Sequence, residues 1–209
     1  MIRIGITHVP RTTETLGLSL PTMPTGAHVT VYPDGMHNIS TAFDVKRLGE
    51  RAGCFKHWHR VLSDLCETDA DIVGVMPDDI RYHSQVFKVA EKQLQKDGVG
   101  YVACFLPVGM QKRYKWQGEW NTCNMGWGSS WGGGYLFPIT VARELIKHPY
   151  IITHRDNYLP NQQIDHAVPE AIFRMGLSQW YHYPSLLKHI GYKSTIGHKH
   201  TLDEEAAGW

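Results

Sequence analysis

The chain has 209 residues, 42% of them apolar and 20% charged, with a net charge of +1. That composition is ordinary for a globular protein rather than a disordered one, and the length is enough to bury a substantial core without staples. A nearly neutral total removes bulk charge as an argument for nucleic-acid binding, although a local basic face stays compatible with it. The four cysteines, Cys54, Cys66, Cys104 and Cys123, form no C-x-x-C pair, which fits reduced thiols rather than a disulfide framework or a zinc site. The N-terminus lacks a signal-peptide apolar region, and no run approaches the ~20 apolar residues needed to cross a bilayer. A cytoplasmic protein is the expectation.

Ile2 to Val9 is an apolar, β-branched run before Pro10 and predicts a buried strand. Thr12 to Leu20 is weakly helical and stops at Pro21 and Pro24. His28 to Tyr32 predicts a second strand, closed by the turn sequence Pro33-Asp34-Gly35. Apolar positions 54, 55, 58, 61, 62 and 65 predict an amphipathic helix over Gly53 to Glu67. Asp71 to Met76 is apolar almost throughout, as a central strand covered on both faces should be. It ends at Pro77-Asp78-Asp79. A helix over Ser84 to Lys96 and a strand over Val99 to Pro107 follow.

Gln111 to Gly134 is rich in Trp and Gly and shows little periodicity. Residues Tyr135 to Phe137 predict a strand, Ile139 to Lys147 and Gln162 to Met175 helices, and Leu177 to Tyr183 a last strand. The alternation predicts one α/β domain over residues 1–209, a sandwich with a mostly parallel central sheet. Residues 111–131 read as an insert, and 201–209 as a tail.

In open α/β sheets ligands bind outside the carboxyl ends of the strands, where Thr7-His8, Asp34 and Asp78-Asp79 fall. Two adjacent carboxylates closing an apolar strand are costly without a compensating positive charge, which a hard divalent cation supplies. The plainer reading of the same pair is a solvated turn or a helix cap. The glycines of Trp127-Gly-Ser-Ser-Trp131-Gly132-Gly133-Gly134-Tyr135 allow close approach of backbone to a ligand. Trp127 and Trp131 are then stacking surfaces, or simply core residues. Asp165, in Gln163-Ile164-Asp165, is either a general base or a first-turn acid complementing the helix dipole. His189 and His198 are candidate imidazole ligands, or hydrogen-bonded bystanders, and Lys193 to Thr195 suit phosphate oxygens.

These pieces, in this order, resemble the GT-A glycosyltransferases over nearly the whole chain. GCFKHWHRVLSDLCETDADIVGVMPDDI is similar to their helix, strand and acidic motif, with Pro77 where the first acid often stands. THVPRTTETLGLSL resembles the nucleotide-binding first loop, and VTVYPDG the second strand. GGGYLFPITVARELIKH resembles the acceptor-side strand and helix. QID falls at the catalytic-acid motif, and PSLLKHIGYKSTIGH resembles the C-terminal segment.

The resemblance implies a GT-A-like, Rossmann-like fold and transfer of a sugar from a nucleotide-sugar donor, a UDP-sugar first. It places Mn²⁺ or Mg²⁺ on Asp79 and His189 and makes Asp165 the catalytic base, with inversion at the anomeric carbon. It implies donor contacts at Thr7, Val9, Arg11, Asp34, Asp78 and Lys193, and acceptor contacts at Trp127, Trp131, Gly133 and Gly134. The chain also resembles compact phage-type enzymes that glycosylate hydroxymethylcytosine in DNA. Lys112, Arg113, Lys115, Trp116 and Trp120 form a basic-aromatic stretch suited to such an acceptor. A surface or lipid-linked glycan acceptor and an inactive nucleotide-sugar-binding protein are the alternatives. A nucleotidyltransferase would need a Gly-rich, Arg-Lys-containing first loop, and THVPRTTETLG has no such loop.

Overall fold

A computed structural model describes residues 1–9, 15–116, 118–122, 134–157, 164–190 and 206–209. In chain order the elements begin with β1 (Ile2–His8), α1 (Leu16–Ser19), β2 (Ala27–Pro33), β3 (Asp44–Val45) and α2 (Cys54–Cys66). Next come β4 (Ile72–Pro77), β5 (Ile80–Tyr82), α3 (Val86–Leu94), β6 (Val99–Ala103), α4 (Val108–Tyr114) and β7 (Trp120–Thr122). The last are β8 (Tyr135–Pro138), α5 (Ile139–Leu145), α6 (Pro149–Asp156), α7 (Ile164–Arg174), β9 (Ser178–His182) and β10 (Leu187–His189).

Eight strands form one sheet in the order β3-β2-β1-β4-β8-β6-β9-β7. β8 runs antiparallel to both β4 and β6, and β7 runs antiparallel to β9; the other strands share one direction. The sheet is therefore mostly parallel, as predicted. β1 has β2 on one side and β4 on the other, so the strand order reverses between β1 and β4. A crevice at the carboxyl ends of these two strands is where such a sheet receives ligands.

The sheet divides two apolar clusters, and its strands alternate between them with the period of two that a pleat imposes. Val73 and Val75 join Phe55, Trp58, Val61, Leu62 and Leu65 of α2 and Val168 and Ile172 of α7. Ile72 and Met76 join Ile4, Ile6 and, from α3, Val86, Phe87, Ala90 and Leu94. At Gly5 a Cβ would run into the Val61 side chain, so the missing side chain lets α2 lie close on β1.

Several features depart from the sequence reading. The strand expected over Val99 to Pro107 ends at Ala103. Cys104 and Leu106 instead bond to Gly134 and the Ser185 hydroxyl, at 3.0 and 2.9 Å. The unpatterned stretch after Gln111 lies partly in α4 and β7, where Trp116 stacks on Tyr114 and Tyr181 with both centroid separations 5.1 Å. Stacking against neighbours gives that segment order without any amphipathic period. The helix expected from Thr12 is α1 followed by a 3-10 turn over Leu20–Thr22 with Pro21 at its start, and residues 12–14 lie outside the described residues. Among the described residues no helix is long and apolar enough to cross a membrane.

Candidate active site

At the reversal point β1 and β4 lie side by side, with Thr7 in register with Pro77. The Thr7 hydroxyl donates to the Met76 carbonyl at 3.2 Å, and Val9 is half-buried just past the strand. The turn after β4 puts Asp78 and Asp79 in the interior, 0% and 6% exposed. A buried carboxylate requires a donor, and His8 Nδ1 lies 2.5 Å from Asp78 Oδ2. His8 is itself buried, so the ends of the two central strands are tied by a polar pair inside the protein.

Asp79 is reached from the other end of the chain. β5, directly after the acidic turn, pairs antiparallel with β10, with His189 opposite Ile80. The Ile190 amide donates to the Asp79 carbonyl at 2.8 Å. This two-stranded clip brings His189 Nε2 to 3.1 Å from Asp79 Oδ2. Among the described residues His189 Nδ1, the nitrogen turned away from Asp79, is buried without a hydrogen-bond partner.

A divalent cation fits here on two counts. The pair offers one carboxylate and one imidazole, the donor types that Mn²⁺ accepts, and its 3.1 Å spacing is that of neighbouring donors around one small cation bound at roughly 2.1 Å from each. Among the described residues no set of three His, Cys, Asp or Glu completes a cage. The remaining positions would fall to water or to substrate oxygens.

Asp34 is buried, and its two oxygens accept the amides of Ala52 at 2.7 Å and Gly53 at 3.0 Å. It thereby caps the start of α2, where Gly53 has φ +81. His57 Nε2 donates to the Tyr32 carbonyl at 2.8 Å, while Nδ1 stands 3.8 Å from Asp34. Burial holds His57 below the ordinary histidine range.

Beside β4, Gly134 leads into β8 with φ +95, and a Cβ there would overlap Met76 and Leu187. Asp165 stands in the first turn of α7. The Tyr135 hydroxyl reaches its carboxylate at 3.4 Å. Burial raises Asp165 to about 7, against the smaller opposing effect of that hydrogen bond. The residue is half-buried overall, so its carboxyl is its enclosed part.

Of the residues singled out in the sequence, Thr7, Asp78, Asp79 and His189 converge at the reversal point, with Asp34 at the end of the adjacent β2. Arg11, Trp127, Trp131, Gly133, Lys193 and His198 lie outside the described residues. His8 carries a structural part that the sequence reading did not assign, though its place at a strand end pointed to it. His37 was missed altogether; its ring lies 5.3 Å from that of His8.

A search of solved structures finds this architecture in GalNAc-T7, whose crystal structure contains UDP, GalNAc and Mn²⁺. The TM-score is 0.67 at 10% identity, over 95% of this chain and 44% of that one. The chain has a GT-A-type fold. It spans less than half the length of that GT-A neighbour. No protein-family model matches the sequence, and no curated protein matches it.

Proposed function

We propose that the chain is a metal-dependent glycosyltransferase that moves a sugar from a nucleotide diphosphate to a hydroxyl acceptor. The observation carrying this reading is the Asp79–His189 pair, 3.1 Å apart at the switch point of a GT-A-type sheet. The UDP and Mn²⁺ in GalNAc-T7 support a UDP-sugar donor and a divalent cation here.

Asp79 and His189 would hold Mn²⁺ or Mg²⁺, which when bound neutralises the departing diphosphate. Thr7, Val9, Asp34 and Asp78, with Arg11 and Lys193, form the donor side. Gly134, with Gly133, Trp127 and Trp131, forms the acceptor side. Asp165 accepts the proton of the acceptor hydroxyl as its oxygen attacks the anomeric carbon. The bond from that carbon to the diphosphate oxygen breaks, its electron pair leaves with the diphosphate, and a single displacement inverts the configuration. A carboxylate at about 7 is basic enough to take a proton and still substantially ionised at neutral pH.

For the acceptor we favour hydroxymethylcytosine in DNA. Lys112, Arg113 and Lys115 are exposed on and just after α4, a local cationic surface suited to phosphates. Trp116 is already stacked within the protein, so base stacking falls to other side chains. A target base in a duplex would have to be flipped out to reach the site.

The test is diphosphate release from a panel of nucleotide sugars with Mn²⁺, with and without hydroxymethylcytosine DNA, beside Asp79→Ala. Release requiring one donor, the metal, Asp79 and the DNA supports the full reading. Release without DNA moves the acceptor to glycans. No release with any donor or acceptor, despite nucleotide binding, refutes the enzyme and leaves a binding protein.

A further inference from the structure

The loop after β2 contains a histidine to which the proposed reaction assigns no part. His37 Nε2 is shut off from solvent and has no hydrogen-bond partner among the described residues. A buried polar atom in that state costs free energy unless a ligand or water completes it. The loop sits at a telling place. His37 lies 5.3 Å, ring to ring, from His8, and His8 holds Asp78, the neighbour of the proposed metal ligand Asp79.

The order of groups along the carboxyl edge of the sheet sets what can reach His37. The diphosphate belongs with Asp79 and His189 beside β4, and the acceptor with Gly134 and Asp165 beyond β8. The sugar must lie between the diphosphate and Asp165. The remaining part of the donor, the nucleoside, then extends the other way, over β1 and β2 to the loop that carries His37.

The local chemistry suits a nucleoside better than a phosphate. Burial chiefly, with the nearby His8, Arg47 and Arg51 and against the opposing Asp34 carboxylate, holds His37 below the ordinary histidine range, which favours the neutral imidazole near pH 7. A neutral imidazole donates from one nitrogen and accepts at the other, which matches base amides and ribose hydroxyls. Its neighbour Met36 is 67% exposed, the most of any large apolar side chain among the described residues. Its polarizable thioether is the kind of surface an aromatic base packs on.

We propose that His37 is a specificity-determining residue that hydrogen-bonds the nucleoside of the donor. This rests on the glycosyltransferase reading given above. The experiment measures binding of UDP, CDP, GDP, ADP and dTDP, and separately of inorganic pyrophosphate, to wild-type protein with Mn²⁺ by calorimetry. His37→Ala and His37→Gln are then compared on the tightest nucleotide and on pyrophosphate. The expected result is about tenfold weaker nucleotide binding for His37→Ala, partial recovery in His37→Gln, and pyrophosphate binding within twofold of wild type. Nucleotide binding within twofold of wild type in His37→Ala overturns the inference while leaving the glycosyltransferase reading intact. An equal loss for nucleotide and pyrophosphate also overturns it, marking His37 as a support of the fold. Failure of wild type to bind any of the five nucleotides removes both readings together.

Discussion

Asp165 offers a way to separate a carboxylate kept for chemistry from one kept for structure. Burial moves it from the ordinary 3.8 to about 7. Its folded value exceeds its unfolded value, so its contribution to stability is fully present below about pH 4 and is lost as pH rises through 7. At ~1.4 kcal/mol per pH unit the loss amounts to about 4 kcal/mol, and solvent contact at a half-buried residue trims this to ~2–4. Asp165→Asn keeps the shape and removes the titration. Urea unfolding of both proteins at pH 4.5 and pH 8 should show the variant gaining ~2–4 kcal/mol on wild type across that interval. Sugar transfer by the variant should fall by about two to four orders of magnitude, as loss of a general base does. Parallel stability profiles in the two proteins would refute the burial argument. Full activity in the variant would refute the catalytic one.

Asp34→Ala removes the acceptor for the Ala52 and Gly53 amides and should cost about 1–2 kcal/mol in chemical unfolding. Gly134→Ala meets both a left-handed φ and the side chains of Met76 and Leu187; a loss of about 2–4 kcal/mol is expected by thermal unfolding. Ser185 is buried, accepts the Leu106 amide at 2.9 Å and donates to the Leu187 carbonyl at 2.8 Å. Ser185→Ala should therefore cost about 1–3 kcal/mol and weaken Mn²⁺ binding, read by metal titration, because the clip carrying His189 loosens.

The central elements were legible because their surroundings leave one choice. An apolar, β-branched run as short as Ile2 to Val9, stopped by Pro10, favours a strand covered on both faces, and it is β1 (Ile2–His8). Gly53 to Glu67 has a stripe that suits only a helix on that sheet, and α2 spans Cys54–Cys66. β3, β5 and β10 have two or three residues each and exist through pairing with distant partners, which no local pattern records. The reversed direction of β8 is likewise a tertiary fact. α6 escaped notice because its first amide is capped by His148, 3.2 Å from Tyr150 N, outside the usual set of capping residues.

Within the site, the residues themselves offered His189 or His198 as an imidazole ligand beside the acidic pair, and resemblance to a family favoured His189; spacing alone does not join it to Asp79. Asp34 stood out as a strand-end acid, but its engagement with the start of α2 depends on where that helix lands. His37 follows the strand in a loop with no periodicity, and the interest of its nitrogen lies in an enclosure that only the fold creates.

The β5–β10 clip has a consequence for how ligands can be found. It brings His189 to Asp79 from near the end of the chain, while His8 reaches Asp78 from near its beginning. A molecule held between them cannot bind a half-folded chain, because neither end alone supplies the site. Its binding free energy is therefore added to global unfolding, by about 2.7 kcal/mol at a concentration one hundred times the dissociation constant. A rise in melting temperature across a panel of nucleotide sugars would thus identify the donor before any acceptor is known.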